Sequence, residues 1–201
     1  MKERPILFSG EMVRAALDDL KRQTRRTNGL EEINEFPDHW KFDRCFEDDG
    51  TYAFTYTEGE FQGELIKCPY GKIGDRLYVR ENWGTHRLYD AIKPSNLKDR
   101  SELKDGIWYE ADIYKKEKSI WMGKTRPNIF LPKRFSRITL EITNIRVERL
   151  NDISEEDAYA EGIQPQCRTP KEAFAVLWNQ IYGSWEKNPW VWVVEFKVVK
   201  P

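Results

Sequence analysis

The stretch RITLEITNIRVERL, residues 137–150, decides the fold class. Ile138, Leu140 and Ile142 recur at every second position, and after Thr143-Asn144 the apolar positions resume at Ile145 and Val147. A period of two belongs to a strand with one buried face, and the phase shift predicts a bulge or bend between two strand halves. Residues 190–199, WVWVVEFKVV, carry the same period with heavier side chains. Trp190, Trp192 and Val194 share one face and Val191, Val193 and Glu195 the other, which predicts a strand close to the core. Upstream, Arg76 to Glu81 alternates too, with Leu77 and Val79 pointing opposite to Arg76, Tyr78 and Arg80.

Helical periodicity fills other segments. Met12, Val13, Ala16, Leu17 and Leu20 form one apolar stripe, so a helix is predicted over Glu11 to Leu20. The basic run that follows, Lys21 to Arg26, has no stripe and is expected to be the last turn of that helix or the loop beyond it. Ser154 is a cap for a short helix ending at Gly162. Thr169-Pro170-Lys171-Glu172 places Thr at the cap, Pro at the first helical position and Glu three residues after the cap, and Gly183 stops the helix. Thr51 to Thr57 reads as a strand between the turns Asp49-Gly50 and Glu58-Gly59. Residues 84–128 have poor periodicity and read as an insertion within a single domain of residues 1–201, too short for a core of its own. Strands far apart in sequence with few crossover helices predict an α+β fold. Its expected form is a small mixed or antiparallel β-barrel flanked by short helices.

Composition narrows the function classes. The 201 residues include 33 Lys plus Arg and 34 Asp plus Glu, a net charge of -1, which excludes a uniformly basic coat but not a local patch. No stretch approaches ~20 apolar residues, so no membrane span is expected, and no signal-peptide core follows Met1; the cytoplasm is the default. Cys45, Cys68 and Cys167 are widely spaced and odd in number, which argues against a disulfide framework. With only His39 and His86 beside them, no zinc site is expected, and no metal or cofactor is called for.

Five pieces of the chain carry a resemblance. Phe8-Ser9-Gly10-Glu11-Met12-Val13, Leu20-Lys21-Arg22-Gln23-Thr24-Arg25-Arg26, Gly74-Asp75-Arg76-Leu77-Tyr78-Val79-Arg80-Glu81, Ile153 to Gly162, and Trp190 to Lys197 occur in an order that resembles the ASCH domain family. The likeness is to its longer bacteriophage- and prophage-encoded members, and it covers roughly half the chain. It implies a PUA-like barrel with RNA, or a modified nucleoside or nucleotide, bound in a cleft beside it. One branch of that family comprises amidohydrolases that deacetylate N4-acetylcytidine. Their Lys, Thr and Glu fall on Lys21, Thr24 and Glu161.

The residues themselves support several readings. A Thr24 hydroxyl can attack an acyl carbonyl if Lys21, its pKa lowered by burial or by neighbouring Arg side chains, takes the proton and Glu161 serves the leaving amine. On a helix end, the same basic run would simply suit the macrodipole. Lys21, Arg22, Arg25 and Arg26 are four cations in six residues, a pattern suited to phosphate. Lys133, Arg134 and Arg137 form a second, weaker basic group. Glu81 is read either as a ligand contact or as the ion-pair partner of Arg80 or Arg25. Trp83 is read as a base-stacking surface or as core. The expected partner is RNA or a modified nucleoside or nucleotide. The rivals are an amidohydrolase and a phage module that binds a host or phage protein.

Overall fold

The computed structural model describes residues 1–58, 63–103, 106–113, 117–165 and 168–199. Gly59, Cys167 and residues 104–105 and 114–116 of the expected insertion lie outside the described residues. In chain order the strands are β1 (Glu3–Leu7), β2 (Gln23–Arg26), β3 (Trp40–Phe46), β4 (Thr51–Tyr56), β5 (Gly63–Lys67), β6 (Arg76–Arg80), β7 (Trp83–Thr85), β8 (Ile107–Tyr109), β9 (Thr139–Arg149) and β10 (Trp190–Val199). The α-helices are α1 (Gly10–Leu17), α2 (Glu155–Ala160) and α3 (Pro170–Tyr182). Among the described residues the strands form a five-stranded sheet in the order β1-β6-β9-β10-β2, a three-stranded sheet β3-β4-β5 and the pair β7-β8.

The alternating stretch becomes β9 and pairs antiparallel with β10 over its whole length. Glu195 faces Asn144 and Phe196 faces Ile142, so Thr143 is the extra residue of a bulge. The phase shift in the apolar pattern is this bulge. Strand β10 is buried on both faces. Trp192 and Val194 join Tyr52 and Phe54 of the small sheet in one core cluster. The Tyr52 and Trp192 rings meet edge-on at 4.7 Å, and the Trp192 indole donates to the Asn28 carbonyl at 3.0 Å. Val191 and Val193, on the other face, pack with Ile153, Ala158, Phe174 and Trp178 of the α2–α3 layer. The large sheet therefore lies between a small sheet and a helix pair.

The barrel expectation fails, and the ASCH and PUA-like assignment fails with it. The large sheet is open: among the described residues β1 pairs only with β6, in parallel, and β2 pairs only with β10. Closure needs a backbone ladder between the two edge strands. Here Pro5 removes a donor from β1, and the Arg26 guanidinium takes the Leu7 carbonyl at 3.1 Å, so a side chain spans the gap that a ladder would have closed.

One further expectation is corrected. Helix α1 stops at Leu17, and the basic run enters the edge strand β2, because β10 offers it a ladder that pairs Thr24 with Val194 and Arg25 with Val193. Leu97, Ile107 and Tyr109 of the expected insertion are buried together with Trp83, Leu131 and Phe135 of the flanking segments, around the β7–β8 pair. The later helix signals hold: Ser154 caps α2, Thr169 and Glu172 form a capping box on α3, and Gly183 ends α3 in the left-handed conformation.

Candidate functional site

Lys21 and Glu161 are brought together by a close backbone approach. The turn after α1 bends at Asp19, whose φ is 57°, and Lys21 N–H donates to the Ala15 carbonyl at 3.0 Å. The end of α2 then lies alongside: Arg22 N–H donates to the Ala160 carbonyl at 2.7 Å. Gly162, with φ 87°, makes this contact feasible, since a Cβ there would sit 2.9 Å from the Ala15 Cβ and 3.1 Å from the Lys21 Cβ.

The Lys21 ammonium donates to the Glu161 carbonyl at 2.9 Å and to its Oε2 at 2.7 Å, with both side chains buried. Burial pushes the Lys21 pKa below the ordinary lysine value; the Glu161 carboxylate opposes the shift, and Arg26 and Arg25 add to it. This pair forms one wall of a cavity of about 100 Å³ between β2 and α3, faced by Phe174, Trp178, Ile181 and Tyr182. At about 10–15 Å³ per water position, the space suits one planar ring with its substituents.

Most of the basic run is already neutralised. Arg25 is 1% exposed and is bound by Glu148 at 2.6 Å, Asp157 at 2.9 Å and Glu161 at 3.2 Å. Arg22 points to solvent and pairs with Asp19 at 2.7 Å. Arg26 differs. It is half-buried in the cavity wall, its guanidinium donates only to the Arg25 and Leu7 carbonyls, and no carboxylate pairs with it among the described residues. A broader groove of about 680 Å³ runs from this point along β1. It shares Ser9, Met12, Arg26, Ile181 and Tyr182 with the cavity and adds Asn28, Asn82 and Asn128.

The other expected site residues lie elsewhere. Thr24 is fully buried on β2, is not among the cavity-lining residues, and its Oγ1 has no hydrogen-bond partner among the described residues. The Lys21 ammonium bonds Glu161 rather than Thr24. Their spacing of three would align them on a helix, but in an extended chain it does not return a side chain to the same face. Glu81 is paired with neither Arg80 nor Arg25: Arg137 holds it bidentately at 2.8 and 3.0 Å. Burial raises the Glu81 pKa despite that partner. Trp83 is fully buried against Phe135 in the cluster around the β7–β8 pair, and so is unavailable for stacking. Of the second basic group, Lys133 pairs with Glu3 and Arg134 with Asp99.

Sequence reasoning missed the aromatic wall of α3 and the anions Glu148 and Asp157. The wall has a sequence signal: Ile181 and Tyr182 continue the apolar stripe of α3 beyond its buried turns and remain 51% and 40% exposed. The anions have none, because Glu148 and Asp157 look like solvent-facing residues of a strand and a helix start. No protein-family model, curated protein or solved structure matches this chain.

Proposed function

We propose that the protein binds a nucleotide with a single-ring base, bare or modified, free or within an RNA. The base enters the cavity between the Lys21–Glu161 pair and the aromatic wall of α3, and the phosphate meets Arg26 at the mouth of the groove. One observation carries this reading: Arg26 alone of the four clustered cations has no carboxylate partner among the described residues, and it stands where cavity and groove join. Guanidinium and phosphate match bidentately. A neighbouring ring-sized space with apolar walls and a donor–acceptor pair suits a base. Titration calorimetry with uridine, cytidine, UMP, CMP and AMP tests it. The pyrimidine nucleotides should bind, more tightly than AMP, and Arg26→Ala should weaken UMP about tenfold while leaving uridine nearly unchanged, as loss of a charge-assisted hydrogen bond requires. No heat with any nucleoside or nucleotide would reject the proposal.

A second reading, removal of an acyl group from an acylated amino-pyrimidine, is favoured by the lowered pKa of Lys21 beside Glu161. In that reaction the proton of the pair first rests on Glu161, leaving Lys21 as the free amine. The Thr24 oxygen attacks the acyl carbonyl and gives its proton to Lys21, Glu161 protonates the departing exocyclic amine, and water then frees the acyl group from Thr24 and restores the Thr24 hydroxyl. It requires the Thr24 hydroxyl to reach the cavity on substrate binding. Chromatography of N4-acetylcytidine after incubation with wild type and with Thr24→Ala tests it, and turnover that survives in the variant removes Thr24 from the chemistry.

A further inference from the structure

The insertion carries a second cleft, of about 350 Å³, lined by Pro94, Lys124, Thr125, Arg126, Pro127 and Phe130. Its back wall is unusual in charge. Arg126 is 5% exposed, yet no carboxylate pairs with it among the described residues. Its Nη2 donates to the Tyr89 and Asp90 carbonyls at 2.8 and 3.5 Å, its guanidinium lies 5.5 Å over the Trp83 ring, and its Nε is buried with no partner among the described residues. Asp90, whose charge Arg126 feels, turns Oδ1 to the Lys124 N–H at 2.9 Å instead. Lys124 is exposed, and the Lys118 ammonium donates to the Thr125 hydroxyl at 2.6 Å. Neither lysine has a carboxylate partner among the described residues, whereas nearby Lys98 and Arg134 pair with Glu102 and Asp99. Phe130, which also lines the cleft, is 58% exposed.

A buried guanidinium without a counter-charge is costly, and an arriving anion relieves that cost. Two lining cations, Lys124 and Arg126, without a carboxylate partner among the described residues, together with an exposed aromatic side chain on a chain of net charge -1, are features by which a single nucleic-acid strand is held. The cleft and the groove of the first site are lined by consecutive residues. Pro127 lines the cleft, and the next residue, Asn128, lines the groove that begins at Arg26. Asn128 is fixed there by its N–H to the Asn82 side chain at 2.9 Å and its amide to the Phe8 carbonyl at 3.3 Å.

We propose that the Lys124–Arg126–Phe130 cleft holds a phosphate and a stacked base of the strand whose other nucleotide occupies the cavity at Lys21 and Glu161, so that the ligand is single-stranded RNA bridging both. This rests on the nucleotide reading above and extends it from a monomer to a polymer. The test is fluorescence anisotropy with a labelled U-rich RNA of about 10 nucleotides, a length within the usual site size of single-strand binders. UMP and polyglutamate serve as competitors. The RNA should bind about tenfold or more tighter than UMP, as one added stack and one added phosphate contact provide. Lys124→Glu and Phe130→Ala, both at exposed positions, should each weaken RNA several-fold and leave UMP unchanged. Lys124→Glu should also lower the slope of log affinity against log salt by about 0.7. Arg126→Gln joins the series where it folds. RNA and UMP of equal affinity, or both surface variants binding RNA like wild type, would overturn the bridging ligand while leaving the nucleotide site intact. Polyglutamate displacing RNA at equal charge concentration would overturn it in favour of an acidic peptide. A protein that binds neither RNA nor UMP would fail both readings.

Discussion

Replacing Glu161 with Gln keeps the side chain's shape and removes one negative charge from a pair whose side chains are only 1% and 4% exposed. Lys21 is then left with the Glu161 main-chain carbonyl and a neutral amide, while Arg25 retains Glu148 and Asp157. The loss falls on Lys21, because a buried ammonium without a counter-charge either stays charged at high cost or gives up its proton. Breaking a buried pair by removing one partner costs about 3–5 kcal/mol. For a chain of this length that lowers the melting temperature by roughly 6–20 °C, at about 2–4 °C per kcal/mol. The companion change, Lys21→Met, removes the charge that needs a partner. The double variant Lys21→Met/Glu161→Gln should therefore recover most of the loss. Urea unfolding of the wild type, both single variants and the double variant gives the cycle. A Glu161→Gln cost below about 1 kcal/mol, the range of exposed pairs, would refute the buried-pair reasoning, as would strictly additive single variants.

Thr24→Val replaces a buried hydroxyl that has no partner among the described residues and should raise stability by about 1 kcal/mol in the same urea assay, the gain from removing an unsatisfied polar group. Gly84→Ala would place a Cβ 2.2 Å from the Trp108 ring across the β7–β8 pair. It should cost about 1–3 kcal/mol by overpacking, read as a lower melting temperature. Burial pushes the Asp157 carboxyl up, but Arg25, Gln23 and Arg146 overcome it and hold the group below its ordinary 3.8. Its folded state thus binds fewer protons than its unfolded state, so its stabilisation is present above pH 3.8 and is lost as pH falls through the lowered value. Asp157→Asn should flatten that acid limb of the stability–pH curve, and an unchanged limb would contradict the assignment.

Residues 137–150 and 190–199 announce their structure because strand burial is written locally: a side chain every second position either faces water or does not. The bulge at Thr143 is legible for the same reason, as a slip in that period. The caps at Ser154 and Thr169 and the stop at Gly183 are equally local, each depending on a side chain and a backbone group within a few residues. The basic run from Lys21 to Arg26 marks the limit of such reading. Its composition suits a helix end as well as a strand, and only the unpaired edge of β10 makes it β2. Sheet closure is likewise unwritten, since it depends on whether β1 and β2 meet as a ladder or only through the Arg26 side chain. The Lys21–Glu161 contact spans 140 positions and Arg25–Glu148 spans 123, so no local pattern tells a neutralised cation from a free one. The sequence by itself determined which segments alternate, which coil and where the cations cluster. The tertiary structure alone decided that Arg25 is spent inside and Arg26 faces the groove, because charge pairing follows distance through space and not along the chain.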